Sequence, residues 1–297
     1  MNKTKSIDLV EKPYDKKVKG FYEGFLNTQF LFTELYIKKH YSKTLHYLPY
    51  LELNIVHNKD NATYEFNILD YNIPMSYNQK KNKKEFEYYI KLYKNTDKRF
   101  TYFPIDQKIT DLDQIEISHA IFFIYDKLLN QLELFDPNAE NFHYYKNFFK
   151  KFFTKIYGKK IKIIYPDLHC PFFGKLHLEK CNDKKYKFKS DGFCTAWNLW
   201  YLELRLKNEK LTRNEVITKA LNLLKKDNRI CKLIRGYSHF IQDITNNFEI
   251  LFKNGIYIIS IKKKTNYIIP NFLITLLGVS GAILFIIKKL NLFNKTI

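Results

Sequence analysis

The spacing of apolar and polar positions sharpens from about residue 99 onward. RFTYFPI (99–105), HAIFFIYD (119–126) and QLELFDP (131–137) are short runs rich in β-branched and aromatic residues, which predict strands. A turn around Lys127 to Asn130 joins the last two. Between Asn141 and Tyr157 the period changes to that of a helix. Tyr145, Phe149, Phe152, Phe153 and Ile156 fall on one face, with Lys146, Lys150 and Lys155 elsewhere. A further strand, KIKIIYP, follows, and after Cys194 the stretches Thr195 to Leu206, Arg213 to Lys226 and Ile230 to Phe248 predict helices. The first hundred residues are less decisive: Gly20 to Tyr41 reads as helical and Tyr64 to Ile68 as a strand, while QKKNKKEF (79–86) reads as a solvated loop and helix start. The order of elements implies an α+β fold, a central mixed sheet flanked by helices, without internal repeats.

The pattern changes most abruptly near the C-terminus. Tyr267 to Ile287 is uncharged and lies between Lys262, Lys263 and Lys264 on one side and Lys288 and Lys289 on the other. At ~1.5 Å per residue a helix of this length spans about 31 Å, the thickness of a bilayer core. The segment is therefore expected to be a single transmembrane helix acting as a C-terminal anchor, with a buried core helix as the alternative. The expected organisation is an N-terminal helical, aromatic-rich region (1–98), a catalytic core (99–255) and a membrane anchor (267–287). Lysines on both flanks leave orientation by charge ambiguous. The large domain is assigned to the cytosol because a ten-residue tail is the smaller load to translocate.

Composition adds less. The chain has 297 residues, 45% of them hydrophobic and 17% aromatic, enough to fill a core and to exclude a disordered protein. A formal charge of +20 favours anionic partners, although a coding bias toward Lys, Asn, Ile, Tyr and Phe accounts for part of it. No acidic residue falls between Asn141 and Lys162, so Lys146, Lys150, Lys151 and Lys155 are the candidate nucleic-acid surface. The bland alternative is an ordinary surface helix with its aromatic stripe turned inward. Cys170, Cys181, Cys194 and Cys231 are too few and scattered for a disulfide framework, which points to a reducing compartment. The N-terminus lacks the apolar core of a secretory signal.

Three residues carry candidate chemistry. Cys194 follows Asp-Gly-Phe and opens CTAWNLWYLELRL, a helix apolar on nearly every side and therefore buried. A thiol there meets the positive end of the helix dipole, which favours the thiolate, although buried cysteines more often act as small hydrophobes. His119 begins one strand and Asp136 ends the next, so a hairpin would bring them together at its open end. A carboxylate beside an imidazole holds its tautomer and stabilises the imidazolium formed when a thiol is deprotonated. A purely structural His/Asp pair is the alternative. His169, Cys170, His177 and Cys181 contain no paired CxxC spacing, so no metal site is expected.

The order His, Asp seventeen residues later, then Cys at the head of a long apolar helix resembles the adenain and SUMO-protease-like (clan CE) cysteine peptidases. More narrowly, HAIFFIYD, ELFDPNA, CPFFGKLHLE and GFCTAWNLWYLELRL are similar to the peptidase-related proteins of nucleocytoplasmic large DNA viruses, whose patterns are of the kind HAN, FEPHG, CPxxGPQ and GYCxAWxxW. The resemblance covers about Phe100 to Leu206. It implies Cys194 as nucleophile, His119 as general base and Asp136 as its orienting partner, with no cofactor. It also implies a protein substrate, either a precursor polyprotein or a ubiquitin-like modifier, and a viral or virion-associated setting. Leu176 stands where the family has the Gln that helps form the oxyanion hole. The Cys194 amide, His177 and Asn182 are the remaining candidate donors. This departure keeps open a catalytically weak or inactive binding protein of the same fold, and the thioester chemistry equally admits an acyltransferase.

Overall fold

The computed structural model describes residues 6–14, 20–22, 24, 26–47, 50–57, 62–69, 96–110, 116–137, 142–165, 188–190, 193–224, 229–253, 256–262, 273–279 and 282–285. The strands are β1 (Gly20–Tyr22), β2 (Leu45–Tyr47), β3 (Tyr50–His57), β4 (Ala62–Leu69), β5 (Phe100–Thr110), β6 (Glu116–Asp126), β7 (Gln131–Phe135), β8 (Lys162–Ile164), β9 (Phe188–Ser190), β10 (Phe248–Lys253), β11 (Ile256–Ile261), β12 (Leu273–Val279) and β13 (Ala282–Phe285). The α-helices are α1 (Leu26–Phe32), α2 (Lys38–Tyr41), α3 (Phe142–Tyr157), α4 (Cys194–Lys207), α5 (Arg213–Leu224) and α6 (Arg229–Thr245).

The main sheet runs β4-β3-β5-β6-β7-β8, with β2 also pairing with β5. It is mixed: β3 and β2 lie parallel to β5, β6 is antiparallel to both β5 and β7, and β8 is parallel to β7. Strands from either side of residue 98 thus share one sheet. The apolar run in HAIFFIYD follows from burial on both faces. Phe122 and Ile124 join a cluster containing α4, whereas Ile121, Phe123 and Tyr125 join one containing α3. Helix α3 buries Phe149, Phe152, Phe153 and Ile156 against the sheet and leaves Lys146, Lys150, Lys151 and Lys155 exposed.

Helix α4 is the central helix, buried from Thr195 through Leu206. On its sheet side, Tyr201 stacks on Phe135 with ring centroids 4.2 Å apart. Its outer side meets Ile234 and Tyr237 of α6 in the same core. Residues 6–14 close this outer layer. The Trp200 indole N–H donates to the Leu9 carbonyl oxygen (3.0 Å), and Asn208 exchanges two hydrogen bonds with the Asp8 backbone (2.8 and 3.0 Å). A Cβ at Gly236 would run into the Lys12 carbonyl oxygen, so close approach of the strap to α6 requires glycine there.

Several expectations need correction. The apolar C-terminal stretch contains β12 and β13, which continue a sheet in the order β10-β11-β12-β13. Among the described residues no helix is long and apolar enough to cross a membrane. The transmembrane helix in the expected fold, and the single-pass membrane localisation and membrane partner built on it, are withdrawn. Apolar length cannot by itself separate a helix from buried strands. Here Ile, Leu, Thr, Val and Phe suit strands, and Ser280-Gly281, between the two, is a turn dipeptide. The helix expected through Phe248 ends at Thr245, and Phe248 opens β10. Gly20 to Tyr41 is not one helix: β1 comes first, and a π-helical turn at Thr33–Ile37 separates α1 from α2. Cys231 is disulfide-bonded, a departure from the all-thiol state expected of a reducing compartment, whereas Cys194 is free.

Candidate active site

Three sequence-separated segments meet at the head of α4. Strand β6 carries His119, and Asp136 follows β7 directly. The two strands are joined by the tight turn 127–130 and pair from Phe122↔Phe135 to Asp126↔Gln131, which leaves His119 and Asp136 at the open end. The His119 Nε2–H donates to Asp136 Oδ1 at 2.7 Å, with both residues buried. With Nε2 engaged, Nδ1 is the nitrogen left for a second partner. Cys194, at the head of α4, is near enough for its charge to act on the imidazole. Burial on its own pushes the His119 pKa down. The charges of Cys194 and Asp136, and the hydrogen bond to Asp136, outweigh it and hold the imidazole well above its ordinary 6.5.

The thiol is half-buried at the first residue of α4. Phe193 precedes it with φ −102° and ψ 10° and makes no side-chain capping bond. Tyr22 lies parallel to the Phe193 ring (centroids 6.1 Å), and the Arg235 guanidinium lies 5.6 Å from that ring's centroid. The Thr195 hydroxyl donates to the Gly24 carbonyl oxygen (2.6 Å), tying the first turn to the segment after β1.

A buried ion pair fixes α4 against the strand that carries Asp136. Arg205 donates Nε–H to Glu133 Oε2 (3.1 Å) and an Nη2–H to Glu133 Oε1 (2.9 Å), and a third guanidinium donor meets the Leu211 carbonyl oxygen (3.2 Å). Tyr201 and Gln131 add further bonds to the same carboxylate (3.4 and 3.3 Å). On the opposite side of α4, Glu203 accepts from the hydroxyls of Tyr36, Tyr41 and Tyr237 at 2.8–2.9 Å. The helix that presents the thiol is therefore held by one carboxylate from the sheet and by its own carboxylate toward the outer layer.

The remaining anticipated site residues, Leu176, His177 and Asn182, lie outside the described residues, as do His169, Cys170 and Cys181. No metal-binding cluster occurs among the described residues. The reading of motifs passed over two buried amides near the site. Gln107 Nε2, and both Nδ2 and Oδ1 of Asn198, have no hydrogen-bond partner among the described residues. A glutamine in a strand between Ile105 and Ile109, and an asparagine in the first turns of an apolar helix, were the available signals.

No family model matches the chain. A protein of Acanthamoeba polyphaga mimivirus described as an ankyrin repeat protein, L371, is 26% identical over 148 residues. The match takes in 44% of this chain and 19% of that protein, so the chain spans about a fifth of its relative's length. Among solved structures, the Chlamydia trachomatis effector protein ChlaDUB1 superposes with a TM-score of 0.41 at 14% identity, over 80% of this chain and 85% of that one.

Proposed function

We propose that the chain is a cysteine peptidase of the adenain and SUMO-protease-like type that cleaves a protein substrate, a ubiquitin-like modifier or a precursor polyprotein. The observation that carries this is the buried His119–Asp136 hydrogen bond of 2.7 Å, with the free Cys194 near enough for its charge to act on the same imidazole. In the reaction, the Cys194 thiol gives its proton to His119 and the thiolate adds to the amide carbonyl carbon. The oxyanion rests on the Cys194 N–H, the leaving amine takes the proton from His119, and a thioester remains. His119 then removes a proton from water, which hydrolyses the thioester and regenerates the thiol. Asp136 holds the ring's tautomer and stabilises its charged form.

The test is labelling by a ubiquitin-derived electrophile and by a thiol-directed small electrophile, compared among the native chain, Cys194→Ala and His119→Ala. The proposal expects labelling of Cys194 alone, and its suppression in His119→Ala. Labelling unaffected by loss of His119 means that the imidazole does not activate the thiol, and the proposal falls. The sequence departure at Leu176 favours a second reading, a binding protein of the same fold that turns over slowly or not at all. Labelling by the ubiquitin electrophile without measurable amide hydrolysis marks that case.

A further inference from the structure

Addition of a thiolate to a carbonyl places negative charge on the carbonyl oxygen, and catalysis needs donors waiting where that charge develops. The first turn of α4, which the Phe193 side chain does not cap, carries backbone N–H groups. A side-chain donor must reach the same space from another element. Gln107 is 1% exposed, yet its Nε2 has no partner among the described residues. A buried amide donor left open calls for an explanation. In the β5–β6 register Gln107 stands directly opposite His119. Directly opposed residues project from the same face of a sheet, with Cβ atoms about 4.5–5.5 Å apart. Gln107 therefore shares a sheet face with the imidazole on which the Cys194 charge acts.

We propose that Gln107 is the side-chain oxyanion donor, its Nε2–H bonding the carbonyl oxygen of the acyl group as the Cys194 sulfur adds to the carbonyl carbon. The inference rests on the peptidase reading and adds a residue to it. Asn198 is the rival, since both polar atoms of its fully buried amide are open. It lies one turn after Cys194, on the helix side where Tyr201 and Arg205 meet Glu133. That position is about 6 Å further along the axis, beneath the thiol, whereas the oxyanion forms beyond the helix head.

Two reagents separate the roles. p-Nitrophenyl acetate acylates the thiol through a tetrahedral oxyanion: sulfur bonds to the acetyl carbon, p-nitrophenolate leaves, and water hydrolyses the thioester. Iodoacetamide alkylates the same sulfur by displacing iodide, with no oxyanion. Gln107→Met is expected to slow nitrophenolate release about 10²–10³-fold while alkylation of Cys194 stays within about twofold. Its thermal midpoint should hold or rise, because an unpaired buried amide is gone. Gln107→Leu is the second variant should the first fold poorly, with the same selective loss expected. Equal loss in both reactions overturns the inference, because Gln107 would then act through His119 or the thiolate. No loss in either reaction also overturns it, as does a selective loss in Asn198→Leu that Gln107→Met does not show. If native and Cys194→Ala release nitrophenolate at the same rate, the peptidase reading fails first and takes this inference with it.

Discussion

Arg205 grips Glu133 with two hydrogen bonds, 2.9 and 3.1 Å, although neither residue is more than 1% exposed. Glu133 sits three residues before Asp136, and Arg205 eleven after Cys194. The pair thereby sets the position of the helix that opens with Cys194 relative to the strand that leads into Asp136. The strong mutual field raises the Arg205 pKa even though burial opposes it. Removing one partner strands a buried charge. Arg205→Met should cost about 3–5 kcal/mol, and the double replacement Arg205→Met with Glu133→Leu should cost less than either change alone. Urea unfolding of the two single variants and the double variant checks this. Additive losses would mean that the two side chains are not coupled.

The raised pKa of His119 has a definite pH signature. Its folded value lies above the unfolded 6.5, so the associated stabilisation is fully present below about pH 6.5 and is lost as pH rises through the folded value. Asp136→Asn removes one of the two charges responsible. The gap in melting temperature between native and Asp136→Asn should be widest in mildly acidic solution and narrow toward alkali. Thermal melts at a series of pH values measure it, and a gap that widens with pH would contradict the assignment.

Gly236 should tolerate no side chain, since the obstacle is the Lys12 carbonyl rather than a flexible side-chain tip. Gly236→Ala is expected to cost about 1–3 kcal/mol, the range for overpacking. The strap should loosen, and a Glu-specific endoproteinase should cut after the exposed Glu11 faster than in the native chain. Unchanged cleavage together with an unchanged melt would show that the strap moves aside freely.

On the far face of the sheet, Phe153 is fully buried among Phe103, Phe123, Phe149 and Tyr157. Phe153→Ala should cost about 3–5 kcal/mol, while Lys150→Ala, exposed on the same helix, should stay within about 0.5 kcal/mol. Chemical denaturation of both variants tests the orientation of α3.

What was legible in the sequence was local. The run from Ala120 to Tyr125 announced a strand buried on both faces, the turn at 127–130 made the hairpin evident, and the hairpin alone placed His119 near Asp136. The cysteine helix could be read from its lack of a polar face. Other features depend on distant partners. β3 takes its place through parallel pairing with β5, some fifty residues on, and no periodicity in β3 names that partner. The uncharged C-terminal run satisfied the length rule for a membrane helix, yet its β12 segment pairs with β11 and β13. Gln107 is a polar position in β5 that carries no motif, and only the register puts it across from His119.

The strap bears on how the molecule is born. Leu9 and Asp8 are made before their hydrogen-bond partners Trp200 and Asn208, which lie 191 and 200 positions later. At ~5–20 residues per second the opening segment waits roughly 10–40 s for the helix it covers. During that interval the thiol, the imidazole and the carboxylate do not exist in one place. His119, Asp136 and Cys194 can therefore come together only after the α4 segment has been made, well after the hairpin that carries the first two.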